Sequence, residues 1–472
     1  MSTNTDSPEQ EPKPLSVLAI LAYSIANLGG GMFFALNLAV LPLFLLQFTD
    51  NGIILGMMGS SHSFEGAIVQ PIVGSASDRL RNRLGRRRPF MLVAIPISAL
   101  FLLLTPAASY LPGSAHLVAH QAAQVLPSDH LPDLIRLVTI IACVFLFTIA
   151  FNIADDPYQS MMTDITPTAQ RGRVSGISMF VLVIGQASLV VLPIQLVAKF
   201  TLCAVVMCVT TALTCLTVRE PKLPPEEDIH SNHPGERKIG FSSHFTELSI
   251  ALSGLKILHQ ARLALAGLFF SGVGIGAVLS FLTVFVKTIT QCTDQQAQIM
   301  FLYLMLGTAL GVLPFGWLAD RIGAKRVLMI GLTLISIASF FGLRVNTLGQ
   351  ITSVMWLAGF GNAAQSASAY PLLMQLVPSR ETGFFTGLKS TALSIATPLT
   401  GLITGVLVNK GGFRSMFGVC VICLIIALVI LARINIRTAK SEILARDIEQ
   451  GRGGSGKDNE SSARGNTSGE TV

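Results

Sequence analysis

The chain has 472 residues, of which 51% are hydrophobic and 12% charged, with a mean hydropathy of +0.62 and a formal net charge of +7. Soluble domains carry about 25% charged residues, so this composition cannot wet the surface of a globule. A soluble enzyme is excluded on that ground.

Apolar runs long enough to cross about 30 Å of hydrocarbon recur twelve times. They fall at 15–48, 53–77, 90–110, 134–163, 174–197, 199–217, 263–287, 297–318, 325–343, 351–377, 383–408 and 414–435. An acidic tail occupies 1–14, a polar linker 218–262 and a second tail 436–472, which leaves six-helix units at 15–217 and 263–435. The C-terminal tail ends in GRGGSGKDNESSARGNTSGETV, which holds no core-forming residue and is expected to be disordered. Within the linker, 241–260 carries apolar residues at helical spacing and reads as an interfacial helix. The N-terminal stretch lacks the features of a cleaved signal peptide, so the first helix is expected to stay. The 7 cysteines are an odd number and six lie in apolar stretches, which fits neither a disulfide framework nor a zinc site.

Orientation follows from the bases. Of 33 Lys and Arg, 26 lie in the tails or the even-numbered loops, and six (Arg136, Lys199, Lys287, Arg344, Lys410, Arg414) lie on the other side. This bias predicts cytoplasmic termini and accounts for the positive charge without nucleic acid. Lys389 belongs to neither set: six residues into helix 11, it either snorkels to the headgroups or serves a cavity.

An internal repeat organises the chain. Gly74, Asp78 and Arg79 follow helix 2 and lead to Gly85, Arg86, Arg87 and Arg88; Gly316, Asp320 and Arg321 follow helix 8 and lead to Gly323, Lys325 and Arg326. Pro167, Gly172 and Gly176 after helix 4 share their spacing with Pro378, Gly383 and Gly387 after helix 10. An acid at a helix end beside a row of bases can tie helices on the cytoplasmic face, and such ties can break and reform as two halves rock. Asp164 and Arg171 belong with this gating set, and the cluster Arg86 to Arg88 is read as an orientation signal and lipid-headgroup contact rather than a ligand site.

Two parallel six-helix repeats with these loops resemble the major facilitator superfamily over nearly the whole chain outside the tails and linker. Residues 66–90, GAIVQPIVGSASDRLRNRLGRRRPF, resemble the extended loop of the plant sucrose carriers and their bacterial and animal relatives. The stretch from Asn152 through Asp155, Asp156 and Pro157 to Asp164 is similar to their helix-4 motif, with departures at Thr148, Asp155 and Asp156. The resemblance implies an all-α membrane protein of twelve transmembrane helices, in the plasma membrane, that carries solute by alternating access, often a glycoside with a proton. Helix 5 lacks the Gly-Pro-Gly-Gly run typical of drug–proton antiporters.

Of the 26 acids only Glu65, Asp155 and Asp156 fall within the spans, and of the 8 histidines only His62. An ionised acid at mid-bilayer costs about 2.5 to 3.5 kcal/mol, so such a group is paired or spends time neutral, as proton coupling requires. At 1.5 Å per residue Asp155 lies about 13 Å and Glu65 about 20 Å from their cytoplasmic helix ends. His62 shares a face with Glu65. Thr148, Asn152, Asp155 and Gln159 form one polar stripe expected to face a central cavity, with Asp156 rotated toward a neighbouring helix. Helix 10 carries an uncharged stripe, Asn362, Gln365, Ser366 and Tyr370, suited to a neutral polyhydroxylated solute. Asn27 and Asn37 on helix 1, Gln186 and Gln195 on helix 5, and Gln298 on helix 8 are further candidates, although polar residues also sit at helix contacts. On this division the front half handles the proton and the back half holds the solute.

His116 and His120 are spaced i, i+4, with Asp129 and His130 beyond, but no cysteine joins them and no metal site is assigned. No phosphate-binding glycine loop, catalytic triad or metal pair appears, so neither ATP driving, a cofactor nor enzymatic chemistry is expected. The partners expected are a small solute, a proton and the lipid bilayer, with the chain a monomer. A uniporter or exporter on the same fold, or a sensor or assembly factor that moves nothing, are the rival readings.

Overall fold

The computed structural model describes residues 14–60, 84–111, 131–167, 170–218, 220, 258–378 and 382–449, with positions 69, 72, 73, 76, 77 and 80 of the second span. Within them the helices are α1 (Val17–Leu45), α2 (Gly52–Gly59), α3 (Arg88–Tyr110), α4 (Leu131–Ile165), α5 (Arg171–Val191), α6 (Leu196–Thr217) and α7 (His259–Thr290). They continue with α8 (Asp294–Ile322), α9 (Ala324–Gly342), α10 (Leu348–Met374), α11 (Thr382–Gly411), α12 (Ser415–Ala432) and α13 (Ile436–Glu449). No strand occurs among the described residues.

Ten of these helices are long and apolar enough to cross a membrane. The other two expected spans are α2, described only at its start, and α10, whose 27 residues include the polar stripe. Large apolar side chains face outward along the helices, among them Val93, Leu216, Leu313, Phe340 and Ile422, each more than half exposed. An outward apolar belt is what a lipid solvent demands. The chain is a multi-pass, all-α membrane protein.

Local chemistry sets the helix starts. Asn51 accepts the Ile53 amide at 2.9 Å, and Thr293 with Gln296 forms a capping box at the head of α8. Such caps satisfy amides that have no partner within the helix. In α1, residues Leu36–Val40 widen into a π-helical turn, a deformation that often accompanies functional sites.

The tail departs from expectation at its start. Ile436–Glu449 is helical, Ala439 is buried, and Glu442 accepts the Gln260 amide at 2.9 Å. The apolar and acidic residues at 436–449 dock this segment on α7; the Gly- and Ser-rich remainder lies outside the described residues. So does most of the expected linker helix, of which only 258–260 are described, at the head of α7.

Packing of the buried apolar residues is unequal along the molecule. One cluster contains residues of both halves: Phe33, Phe44 and Phe200 from the front, and Phe281, Phe285, Phe301 and Phe417 from the back. A second cluster around Leu265, Leu328 and Leu431 is confined to the back half. A third, around Tyr23, Tyr158 and Met161, is confined to the front. The halves therefore share a core toward one face, where α1 meets α2, and keep separate cores toward the face that carries Arg86–Arg88 and Lys325.

Candidate functional site

The face of the shared core is sealed by close backbone contact. A Cβ placed on Gly52 would stand 2.7 Å from the Gly405 carbonyl oxygen, and one on Gly56 would stand 2.5 Å from that of Gly401. Only glycine lets α2 and α11 approach this closely. Asn409 closes the end, accepting the Gly52 amide at 2.6 Å and donating to Asn51 Oδ1 at 3.2 Å. Beside it, the Lys199 ammonium of α6 is fully buried and donates to Gln298 Oε1 at 2.5 Å and Gln295 Oε1 at 3.2 Å, both on α8. Gln295 in turn donates to the Val190 carbonyl at 2.7 Å. Lys199 counts toward topology in the sequence and becomes a bridge between halves in the fold. Its burial at a span end had no sequence signal.

Toward the other face lies a cavity of about 480 Å³ between the halves. The front half contributes Leu38 and Gly59; the back half contributes Gly272, Gly276, Asn362, Gln365, Ser366, Lys389 and Thr397 among others. Three of the four residues expected from α10 thus line one space. Asn362 donates to Thr308 Oγ1 at 3.2 Å and Gln365 to Ser271 Oγ at 3.4 Å, which fixes both amides. Tyr370, the fourth, lies near the rim with the Lys389 ammonium 5.6 Å from its ring centroid.

The front-half stripe lies elsewhere. Thr148 and Asn152 are buried, and each bonds back to its own helix, to the Val144 and Thr148 carbonyls. Asp155 lines a small cavity within the front half, with Asn27, Gly30, Ile95, Tyr158 and Thr211 of α1, α3, α4 and α6. Its carboxylate accepts from Gln159 Nε2 at 2.6 Å, and of the stripe only Gln159 is exposed. The expectation that this stripe faces the cavity between halves is therefore corrected: a charged face on a bundle helix can be partnered inside its own bundle. One turn away, Tyr23 and Tyr158 stack with centroids 4.8 Å apart, each hydroxyl donating to the other's carbonyl at 3.1 Å. That α1–α4 lock was not anticipated.

The remaining front-half candidates do not line the cavity between the halves where they are described. Asn37 is buried and donates to the Phe33 carbonyl at 3.0 Å, while Gln186 is buried where α5 crosses α1. Gln195 precedes α6 as its N-cap residue. Asp156 is half-buried. His62, Glu65, Gly74, Asp78 and Arg79, together with the loop histidines His116, His120 and His130, lie outside the described residues.

On the basic face Asp164 at the end of α4 receives Arg86 and Arg87, with both Nε atoms at 3.2 Å. Glu220 accepts the amides of Arg86, Arg87 and Arg88 at 2.8, 3.0 and 2.9 Å, capping α3. A Cβ on Gly85, whose φ is +103°, would meet that carboxylate at 2.7 Å. Arg171 reaches the Thr163 carbonyl at 3.4 Å. These ties join the front half to itself and to the start of the linker. In the back half Asp320, Arg321 and Arg326 are exposed, Arg321 lies over the Trp317 ring at 3.7 Å, and Asp320 makes no ion pair among the described residues.

Two bundles pressed together on one face thus leave between them a cavity whose lining mixes apolar side chains with amides, hydroxyls and one lysine. The family profile of the Major Facilitator Superfamily matches residues 23–293 and 264–453. The chain belongs to that superfamily of membrane transporters. It is similar to the galactose-proton symporter of Escherichia coli (strain K12), 28% identical over 166 residues that cover 35% of each chain, and so spans about a third of that relative's length in the match. It is also similar to the gallate transporter of Pseudomonas putida, 29% identical over 115 residues, 24% of this chain and 25% of the other. Among solved structures, the nucleoside transporter NupG has a TM-score of 0.64 at 12% identity, covering 88% of this chain and 99% of that one. The D-xylose-proton symporter follows at 0.60 and 14%, covering 88% and 98%. At these identities the solved structures speak to the fold.

Proposed function

We propose that the protein is a secondary active carrier that moves a sugar or similar polar solute with a proton across the plasma membrane by alternating access. The observation that carries this reading is the cavity between the halves, where amides and hydroxyls stand among apolar side chains, sealed on one face. With the basic face in the cytoplasm, as the distribution of Lys and Arg predicts, the state described is closed outward. Rocking that parts α2 from α11 at Gly52–Gly405 and brings the basic-face ends together would present the same residues to the other side.

Asp155 is the proton-coupling group in this reading, with Glu65 its partner in function. A carboxylate held among α1, α3, α4 and α6 is costly to keep ionised in the membrane interior. Its charge therefore biases how those helices pack, and gain or loss of one proton biases which face is open. Similarity to the galactose-proton symporter supports sugar and proton together. The loop at 66–90 supports the sucrose-carrier branch by resemblance.

The test is uptake into proteoliposomes with an imposed pH gradient. Accumulation of a sugar that collapses with the gradient is expected. Uptake indifferent to both pH gradient and membrane potential would remove the coupling, and a chain that moves no solute would be the sensor of the rival reading.

A further inference from the structure

We propose that Lys389 is the solute-binding cation of the central cavity, and that the solute carries a carboxylate on a polyhydroxylated frame. This rests on the carrier reading above and narrows its substrate class.

Among the described residues lining the cavity Lys389 is the one charged group, and no acid joins it there. It sits seven residues past the start of α11, close enough to the basic face for its stem to snorkel toward headgroups. The ammonium instead lines the cavity, half-buried, beside the Tyr370 ring. No described carboxylate pairs with it, whereas Lys287 on the sealed face pairs with Asp294. A single cation–π contact is a modest contribution, and a lysine within a span is expected to have a functional partner. A solute anion is the partner the cavity can admit.

The polar part of the remaining lining fits the hydroxyls of such a molecule, and Leu268, Ile275, Leu279 and Leu393 supply an apolar wall for its ring. Gln365 is held in the wall by its bond to Ser271. The Ser280, Ser366 and Thr397 hydroxyls and the Asn362 amide are the polar groups that the wall offers to solute hydroxyls. One cation beside several hydroxyls complements a sugar acid better than a neutral sugar. The volume of about 480 Å³ lies within the usual range for small-molecule sites.

The experiment compares matched pairs that differ in one carboxylate, galactose with galacturonate and glucose with glucuronate, on the purified full-length protein and its proteoliposomes. Thermal stabilisation and pH-driven uptake are read for the wild type, Lys389→Gln and Lys389→Arg. The acids are expected to bind at least about tenfold more tightly than their neutral partners, because a hydrogen bond to a charged group is the stronger kind. Lys389→Gln should lose that preference and Lys389→Arg should keep most of it. Neutral sugars bound as well as the acids, or an acid preference unchanged in Lys389→Gln, would overturn the inference and leave the carrier reading standing. If no member of either pair binds or accumulates, both the inference and the sugar reading fall. The wild-type comparison stands by itself if Lys389→Gln does not fold.

Discussion

The two halves follow one plan and place their charge differently. An offset of 211 residues carries Pro167, Gly172 and Gly176 onto Pro378, Gly383 and Gly387, and it sets Asp155 against Ser366, Gln159 against Tyr370 and Asp164 against Gln375. Where the front half has a carboxylate inside its bundle, the back half has a hydroxyl facing the shared cavity. Where Asp164 clamps Arg86 and Arg87, the back half has an amide. Its bases accordingly find other partners: Lys325 donates to the Ala432 and Ile434 carbonyls at 2.9 and 2.7 Å, and Arg321 stacks on Trp317. The turn geometry does repeat, since Gly85 and Gly323 both adopt positive φ, +103° and +94°. Repetition of backbone does not entail repetition of chemistry, and the proposed division between a half that handles a proton and a half that holds a solute rests on that difference.

The comparison breaks most sharply at Asp155. Asp155→Asn should abolish accumulation driven by a pH gradient while solute exchange across the membrane persists, and counterflow in proteoliposomes separates the two. The same change at its counterpart, Ser366→Asn, should alter solute affinity and leave the response to pH intact.

The seal should be nearly as sensitive. Gly405→Val places carbon against the Gly52 carbonyl, where even a Cβ would stand 2.6 Å away. Overpacking of that kind costs about 1–3 kcal/mol, a shift of roughly five- to 150-fold away from the sealed state. Labelling of a cysteine at Asn51 should accelerate accordingly. Unchanged labelling would show that the seal is held elsewhere.

The basic-face ties come next. Asp164→Asn leaves Arg86 and Arg87 without their carboxylate, and with Asp164 11% and Arg87 7% exposed the pair is largely desolvated. The loss should fall between the limits for exposed and buried pairs, about 1–3 kcal/mol, and appear as a lower melting temperature. Glu220→Gln keeps an oxygen acceptor for the α3 amides but removes the charge that also faces Arg88 Nε at 3.9 Å, and should cost about 0.3–1 kcal/mol, between the Asp164 and Asp320 changes. Asp320→Asn, with no ion pair among the described residues, should change stability by less than about 0.5 kcal/mol. Equal losses in both halves would erase the asymmetry.

Much of this was legible in the sequence. Hydropathy and length place the helices because a bilayer admits few structures other than helices as spans, and lipid imposes the same length on each. The Gly85 and Gly323 turns and the α10 stripe Asn362, Gln365 and Ser366 were likewise visible, since spacing on one helix fixes which side chains share a face.

What a face looks toward was not. Asp155 lines its own bundle, Lys199 is buried across the seal, Tyr23 meets Tyr158 over 135 residues of chain, and Lys389 turns into the cavity. The amino-acid order alone determined that the chain lies in a membrane, in two repeats, with few charges held in oil. Only the tertiary structure decided what the described ones among those charges face. Periodicity gives an angle about one helix axis, whereas a contact depends on how two axes cross.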